Sequence, residues 1–193
     1  MKGLDVGQPS PSFRLPSGQG PEVGPGDYRG RRNLIVWFTK GMGCAFCRQH
    51  MTQLLRGYPT FQSLDAEILE VTPTPLDRGR LYASKFNLPW PYLCDPGYSV
   101  WRSWGLDVRS HSIGWYAAAL VHGMRVPQPP NDFGKANPSL REFRSVLADE
   151  DMGFYVLDRQ GVVRYTLAGS YGDAKGVRQI PGNEEIIREL KAL

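Results

Sequence analysis

The spacing of apolar positions along the chain changes several times, and each change marks an element. Leu34-Ile35-Val36-Trp37-Phe38 is an unbroken apolar run of strand length. A run with no polar alternation suits a strand buried on both faces of an α/β sheet. Gly41-Met42-Gly43 breaks it. Beyond Cys44-Ala45-Phe46-Cys47, the residues Met51, Leu54, Leu55, Tyr58, Phe61 and Leu64 recur every three or four places. That spacing predicts one helix with a single apolar stripe, bent at Pro59. Ala66-Glu67-Ile68-Leu69-Glu70-Val71 reads as the next strand, and the helix between the two makes a right-handed parallel crossover. Thr72-Pro73-Thr74-Pro75 stops it.

A shorter helix is expected at about Asp77 to Phe86, a short strand at Pro91-Tyr92-Leu93-Cys94, and a helix over Tyr98 to Gly105. Residues 106–138 carry the weakest pattern. Gly114 to Val121 is apolar enough for a strand, and Val126 to Pro138, with four prolines, reads as a surface loop. Ser139 to Ala148 suits a short helix. Phe154-Tyr155-Val156-Leu157 and Val162-Val163-Arg164-Tyr165-Thr166-Leu167, joined by Asp158-Arg159-Gln160-Gly161, read as a β-hairpin. Asn183, with Glu184 and Glu185 behind it, is expected to cap a last helix carrying Ile186, Ile187, Leu190 and Leu193. Residues 1–32, rich in Gly and Pro, read as an N-terminal extension with one short strand near Ser12-Phe13-Arg14-Leu15. The extension ends in the polar turn Gly30-Arg31-Arg32-Asn33. The expected architecture is α/β: a mixed central sheet flanked by helices, with an inserted segment before the terminal hairpin. No linker splits residues 1–193 into more than one domain.

Composition narrows the function classes. A chain of 193 residues, 41% hydrophobic and 22% charged, matches a soluble globular domain with a sizeable core. The net charge of +4 is mild, and Lys and Arg are spread out, so nothing demands nucleic acid. No window approaches the ~20 apolar residues of a membrane span. The first residues hold no apolar segment of signal-peptide length, so a cytoplasmic location is expected.

Three cysteines do not make a disulfide framework, but Cys44 and Cys47 form Cys-x-x-Cys where a buried strand passes into a helix. The first turn of a helix offers unpaired N–H groups and the positive end of the macrodipole, and both favour a thiolate. Thiols so placed fall from about 8.5 to roughly 3.5–7.5 in pKa. Lys40 and Arg48 add positive charge, and Thr39 precedes them. The two-residue spacer lets the second sulfur resolve a mixed disulfide or sulfenic acid formed on the first. A zinc site needs four ligands; His50 extends the pair to Cys44-x-x-Cys47-x-x-His50, but the remaining candidates, Cys94, His111 and His122, are not paired. Gly41 and Gly43 suggest an open loop around the pair, and His50 reads as a surface histidine. Cys94 ends a strand on the same rim and is either a third redox cysteine or a small core residue.

The chain from Leu34 to Leu106 resembles the peroxiredoxin-like branch of the alkyl hydroperoxide reductase C / thiol-specific antioxidant (AhpC/TSA) family. The likeness lies in Trp37-Phe38-Thr39 with Cys44-Ala45-Phe46-Cys47-Arg48, in Glu67-Ile68-Leu69-Glu70-Val71-Thr72-Pro73, and in Leu88-Pro89-Trp90-Pro91-Tyr92-Leu93-Cys94-Asp95-Pro96. It resumes at Gly153 to Asp158, with Gly161 and Arg164, and at Ile180-Pro181. The resemblance implies a thioredoxin-like fold and reduction of peroxides or disulfides through a reversible Cys44–Cys47 disulfide. It also implies an external dithiol reductant of the thioredoxin type, pairing of two copies, with Trp101 and Trp104 suited equally to an interface or to the core, and no metal or organic cofactor. The family pattern Pro-x-x-x-Thr-x-x-Cys, laid on Cys47, puts Lys40 at the proline and Cys44 at the threonine. Met152 stands where the family carries its peroxide-steadying arginine and where thioredoxins carry a proline, leaving Arg48 or Arg164 as substitutes. By the peroxiredoxin analogy Cys47 attacks peroxide first, and by the thioredoxin analogy Cys44 attacks disulfides. The alternatives are a disulfide reductase without peroxidase activity and a non-enzymatic redox-sensing protein that uses residues 106–138 to bind a partner.

Overall fold

The computed structural model describes residues 3–109, 111–112, 114, 129–136, 139, 142, 148–170, 172–173, 176–177 and 179–193. The apolar run becomes strand β3 (Asn33–Phe38), after a short N-terminal pair, β1 (Leu15–Pro16) and β2 (Glu22–Val23). Helix α1 (Ala45–Ser63) continues through Pro59 and leads to β4 (Ala66–Thr72). There follow α2 (Leu76–Lys85), β5 (Tyr92–Cys94), α3 (Ser99–Ser103) and β6 (Val108–Arg109). The hairpin is β7 (Asp149–Leu157) with β8 (Val163–Ser170). A small pair, β9 (Gly172–Asp173) and β10 (Gly176–Val177), precedes α4 (Asn183–Lys191).

The sheet runs β5-β4-β3-β7-β6, with β8 along β7. β3, β4 and β5 are parallel, whereas β7 pairs antiparallel with both β3 and β8. The register sets Phe38 beside Val71 and Gly153, and Thr72 beside Cys94. The ends of three parallel strands and the start of β7 therefore share one rim. Because side chains alternate across a sheet, Ile35 and Trp37 enter a core with Met51, Leu54, Phe154 and Val156 under α1 and α4. Val36 and Phe38 enter a second core with Leu69, Val71, Trp101, Trp104 and Tyr155.

Three expectations change or narrow in detail. The N-terminal extension holds two short strands, and it is stitched to the sheet edge: Gly18 N–H donates to Tyr92 O at 2.8 Å and Gln19 Nε2 to Trp90 O at 2.8 Å. Trp101 and Trp104 are wholly buried in the second core, so neither offers an interface. Gly182 is the N-cap of α4, and Asn183 instead donates to Gln53 O of α1 at 2.7 Å, tying the two helices together. Residues 129–136 of the loop over 126–138 carry no helix or strand, whereas Gly114 to Val121 apart from Gly114, and the helix over 139–148 apart from residues 139, 142 and 148, lie outside the described residues. Among the described residues, no helix is long and apolar enough to cross a membrane.

Candidate active site

Cys44 is the N-cap of α1, with φ −94° and ψ 127°, and its carbonyl accepts the N–H of Arg48 at 3.1 Å. Cys47 lies in the first helical turn. None of the three cysteines is in a disulfide and all are buried, with Cys44 8% exposed and Cys47 wholly covered. The expected open loop is thus a packed one. Gly41–Gly43 forms a 3-10 turn, and Cys44 N–H donates to Gly41 O at 3.1 Å. Gly41 has φ +72°, and a Cβ there would overlap the Tyr92 hydroxyl. Only glycine fits such a place without strain.

Tyr92 holds that turn from β5. Its hydroxyl accepts the N–H of Met42 at 3.0 Å and shares a hydrogen bond with Thr74 Oγ1 at 2.9 Å. Burial raises its pKa, so it stays protonated. Tyr92→Phe should leave the buried Met42 N–H without an acceptor, at a cost of about 1–3 kcal/mol. Thermal unfolding measures the loss, and faster hydrogen exchange at the Met42 amide would place it in the turn.

Arg48 is 2% exposed. Its Nη1 donates to Met42 O at 2.8 Å, while Nε finds no partner. Burial lowers its pKa most, and the charges of Cys44 and then Cys47 act in the opposite sense. No carboxylate among the described residues pairs with it, so the two sulfurs and the Tyr82 phenol are the groups that can answer its charge. Lys40, at the end of the β3 rim, donates through Nζ to Ala148 O at 2.5 Å. Thr39 N–H donates to Val71 O at 3.0 Å, and its buried hydroxyl has no partner. Trp37 Nε1 and His50 Nδ1 are likewise buried on this face without a hydrogen-bond partner among the described residues, with the Trp37 and His50 rings meeting edge to face at 6.2 Å. Unpaired buried polar atoms collect at functional sites, because a stable core tolerates few of them.

Cys44, Cys47 and Arg48 thus stand together at the start of α1, with Lys40 and Thr39 just beyond the end of β3. His50 is 1% exposed, not a surface residue. It sits three residues beyond Cys47 on the inner face of α1, where Nε2 meets Gln179 Oε1 at 3.1 Å and burial lowers its pKa. Arg164 cannot replace the family arginine. It pairs with Asp158 at 2.6 Å beside the β7–β8 turn, at the opposite end of the sheet. Met152 is wholly buried in the cysteine-side core. Cys94 lies two strands from β3, about 10 Å at ordinary strand spacing. Its sulfur packs against Gly79 of α2, and burial pushes its thiol up to about 12. Among the described residues, no three of His, Cys, Asp and Glu stand together as metal ligands.

Sequence reasoning missed Tyr92 and Glu150. Asp149-Glu150-Asp151 looks like a solvated acidic run, yet Glu150 is 1% exposed and its carboxyl meets no other side chain in a hydrogen bond among the described residues. The signal was the alternation, since Glu150 falls in step with Met152, Phe154 and Val156, which all face the cysteine-side core.

A parallel β3-α1-β4-α2-β5 unit followed by an antiparallel hairpin, with Cys-x-x-Cys on the first helix, defines a thioredoxin-like protein. The model of the AhpC/TSA family matches residues 6–128, and the chain belongs to that family. Among curated relatives, a Mycobacterium tuberculosis protein bearing a peroxiredoxin name is 28% identical over 102 residues, 53% of this chain and 64% of its own. Peroxiredoxin Bcp of Bacillus subtilis is 26% identical over 105 residues, 51% of this chain and 66% of its own. The chain thus matches just under two thirds of the length of these relatives. Peroxidoxin BcpB of Mycobacterium tuberculosis has the same fold, with a TM-score of 0.60 at 14% identity over 98% of each chain.

Proposed function

We propose that this protein is a thiol-dependent redox enzyme that works as a single domain and reduces peroxides or disulfides by cycling Cys44 and Cys47 between dithiol and disulfide. The observation that carries this reading is the buried guanidinium of Arg48, answered by the two sulfurs at the start of α1 and by no carboxylate among the described residues. A cation so placed favours thiolate over thiol. In the peroxide reaction a Cys47 thiolate attacks the O–O bond, giving a sulfenic acid and releasing water or an alcohol. The Cys44 sulfur then displaces the sulfenic hydroxyl as water and closes the disulfide. Cys44, the more exposed of the two, suits first attack on a disulfide. A small external dithiol protein of the thioredoxin type is the natural reductant. Thr39, Lys40 and Arg48 support the pair.

A second reading, disulfide reduction with little peroxidase activity, is favoured by Met152, which puts an apolar side chain where the family places its peroxide-steadying arginine. One experiment separates the two: single-turnover oxidation of the reduced protein by hydrogen peroxide, with thiols counted before and after. The expected result is rapid loss of two thiols in the native chain, one of the variants Cys44→Ser and Cys47→Ser being trapped as a sulfenic acid. Reaction no faster than a free thiol, with ready reduction of small disulfides, would leave only the second reading.

A further inference from the structure

Along the outer face of α1, beyond the cysteine pair, lies a cleft of about 510 Å³ that no step of that cycle uses. One wall is α1 itself, through Gln49, Thr52, Gln53 and Arg56. Residues three or four apart on a helix share one face. Asn131 and Asp132 form the facing wall, and Asn183 of α4 also lines the cleft. The two walls are fastened together. Asp132 N–H donates to Thr52 Oγ1 at 2.8 Å, and Arg56 Nη2 meets both Asp132 carboxylate oxygens at 3.0 Å.

Charge and hydrogen bonding define what such a cleft takes. Among the described lining residues the only charges, Arg56 and Asp132, answer each other, so a charged ligand finds no counter-charge. The side chains left to bind are carboxamides, which carry a donor and an acceptor as a peptide group does. Gln53 Nε2 donates to Pro181 O at 2.7 Å, which leaves its oxygen to accept. Gln49 is half-buried and makes no hydrogen bond among the described residues, so its whole carboxamide can bind. Followed back along α1, the same face carries Ala45 and Phe46, the half-buried residues between the two cysteines. Gln49 stands about 7.5 Å along the helix axis from Cys44, and Arg56 about 10 Å further. At about 3.3 Å per residue, an extended chain of about five residues covers that distance.

We propose that this cleft binds an uncharged, extended peptide segment of a protein whose disulfide Cys44 attacks. This rests on the redox reading above and names its substrate class. The Cys44 sulfur bonds to one substrate sulfur, and the other leaves as a thiolate. Cys47 then displaces the bound sulfur from Cys44, so the substrate gains two electrons and the Cys44–Cys47 disulfide closes. Gln49 and Gln53 hold peptide groups to one side of the substrate cysteine and so set its approach to Cys44.

The test compares two probes on the reduced full chain. One is bis(2-hydroxyethyl) disulfide. The other is a capped peptide of alanine and serine whose central cysteine is joined as a mixed disulfide to 2-mercaptoethanol. The peptide should react faster, and Gln49→Ala should lower the ratio of the two rates by roughly three- to tenfold, as expected for lost hydrogen bonds. Gln49→Trp, which fills the cleft, should lower it at least as far. A ratio that neither variant moves overturns the proposal, and so does a preference for the same peptide carrying aspartate or lysine. A second readout needs no thiol chemistry. The peptide with serine in place of its cysteine should shift the Gln49 side-chain amide resonances and saturate, and unmoved resonances overturn the proposal. Binding without any disulfide exchange would refute the redox reading and leave the peptide site standing, whereas exchange without binding would do the reverse.

Discussion

Arg48→Met should slow alkylation of the cysteine pair, and its reaction with peroxide, by roughly ten- to a hundredfold at pH 7, while leaving the fold at least as stable. The two halves of that result come from one cause. In the thiol form, Arg48 is a buried cation with no carboxylate partner among the described residues, its guanidinium donating to the Met42 carbonyl. Burying a cation without compensation costs several kcal/mol, and an apolar side chain of similar length removes that cost. Each thiolate that forms answers the charge, so the guanidinium lowers the free energy of the reactive state more than that of the resting one. Loss of the guanidinium should raise the thiol pKa, so the deficit should shrink as the pH rises and the variant's thiols ionise. Arg48→Lys keeps the charge and should recover part of the rate. A pH-independent deficit would mean that Arg48 only shapes the turn through Met42.

The second large effect belongs to Glu70, which lies in the middle of the sheet on β4. It is wholly buried, and among the described residues its carboxyl accepts one hydrogen bond, from Trp90 Nε1 at 2.8 Å. Burial pushes the carboxyl from 4.5 to about 8, with the tryptophan bond opposing. The folded state therefore holds a proton that the unfolded chain has already released. The stabilisation from this group is fully present below about pH 4.5 and is lost as the pH rises to about 8, by at most about 5 kcal/mol. Glu70→Gln keeps the bond from Trp90 and has no proton to lose. Urea unfolding at a series of pH values should show the native chain losing stability, relative to Glu70→Gln, steadily from pH 5 to 8 and then levelling. Parallel curves would sink the assignment. Comparison with the variant matters because other groups act in neighbouring windows. Glu150 shares the same slope, whereas His50, lowered by burial, gives stability that is lost as the pH falls below 6.5. Asp149 acts only below 3.8.

The elements that sequence reasoning located well are those whose burial leaves a period. The run of β3 and the stripe of α1 follow from which faces are covered, and the hairpin at Asp158–Gly161 follows from turn chemistry. The cysteine pair was legible because motif and context agreed. What escaped notice was burial decided by distant partners. His50 and Arg48 are polar residues on the inner face of α1, and a helical stripe drawn from apolar letters alone leaves them out. Tyr92 was read only as part of a strand, because its hydroxyl acts on a turn fifty residues earlier. Arg164 shows the converse: a plausible charge in sequence, placed by the hairpin register at the wrong end of the sheet.

The unanswered guanidinium also bears on which redox state the protein prefers. Closing a Cys44–Cys47 disulfide consumes both thiolates, so Arg48 loses the charges that answer it at the moment the bond forms. The oxidised form then carries a penalty that the reduced form escapes. In dithiol proteins, stabilising the reduced state makes the disulfide a stronger oxidant. On the proposed cycle, the same residue that speeds attack also keeps the disulfide from becoming a resting state, so that electrons from an external dithiol flow readily toward it.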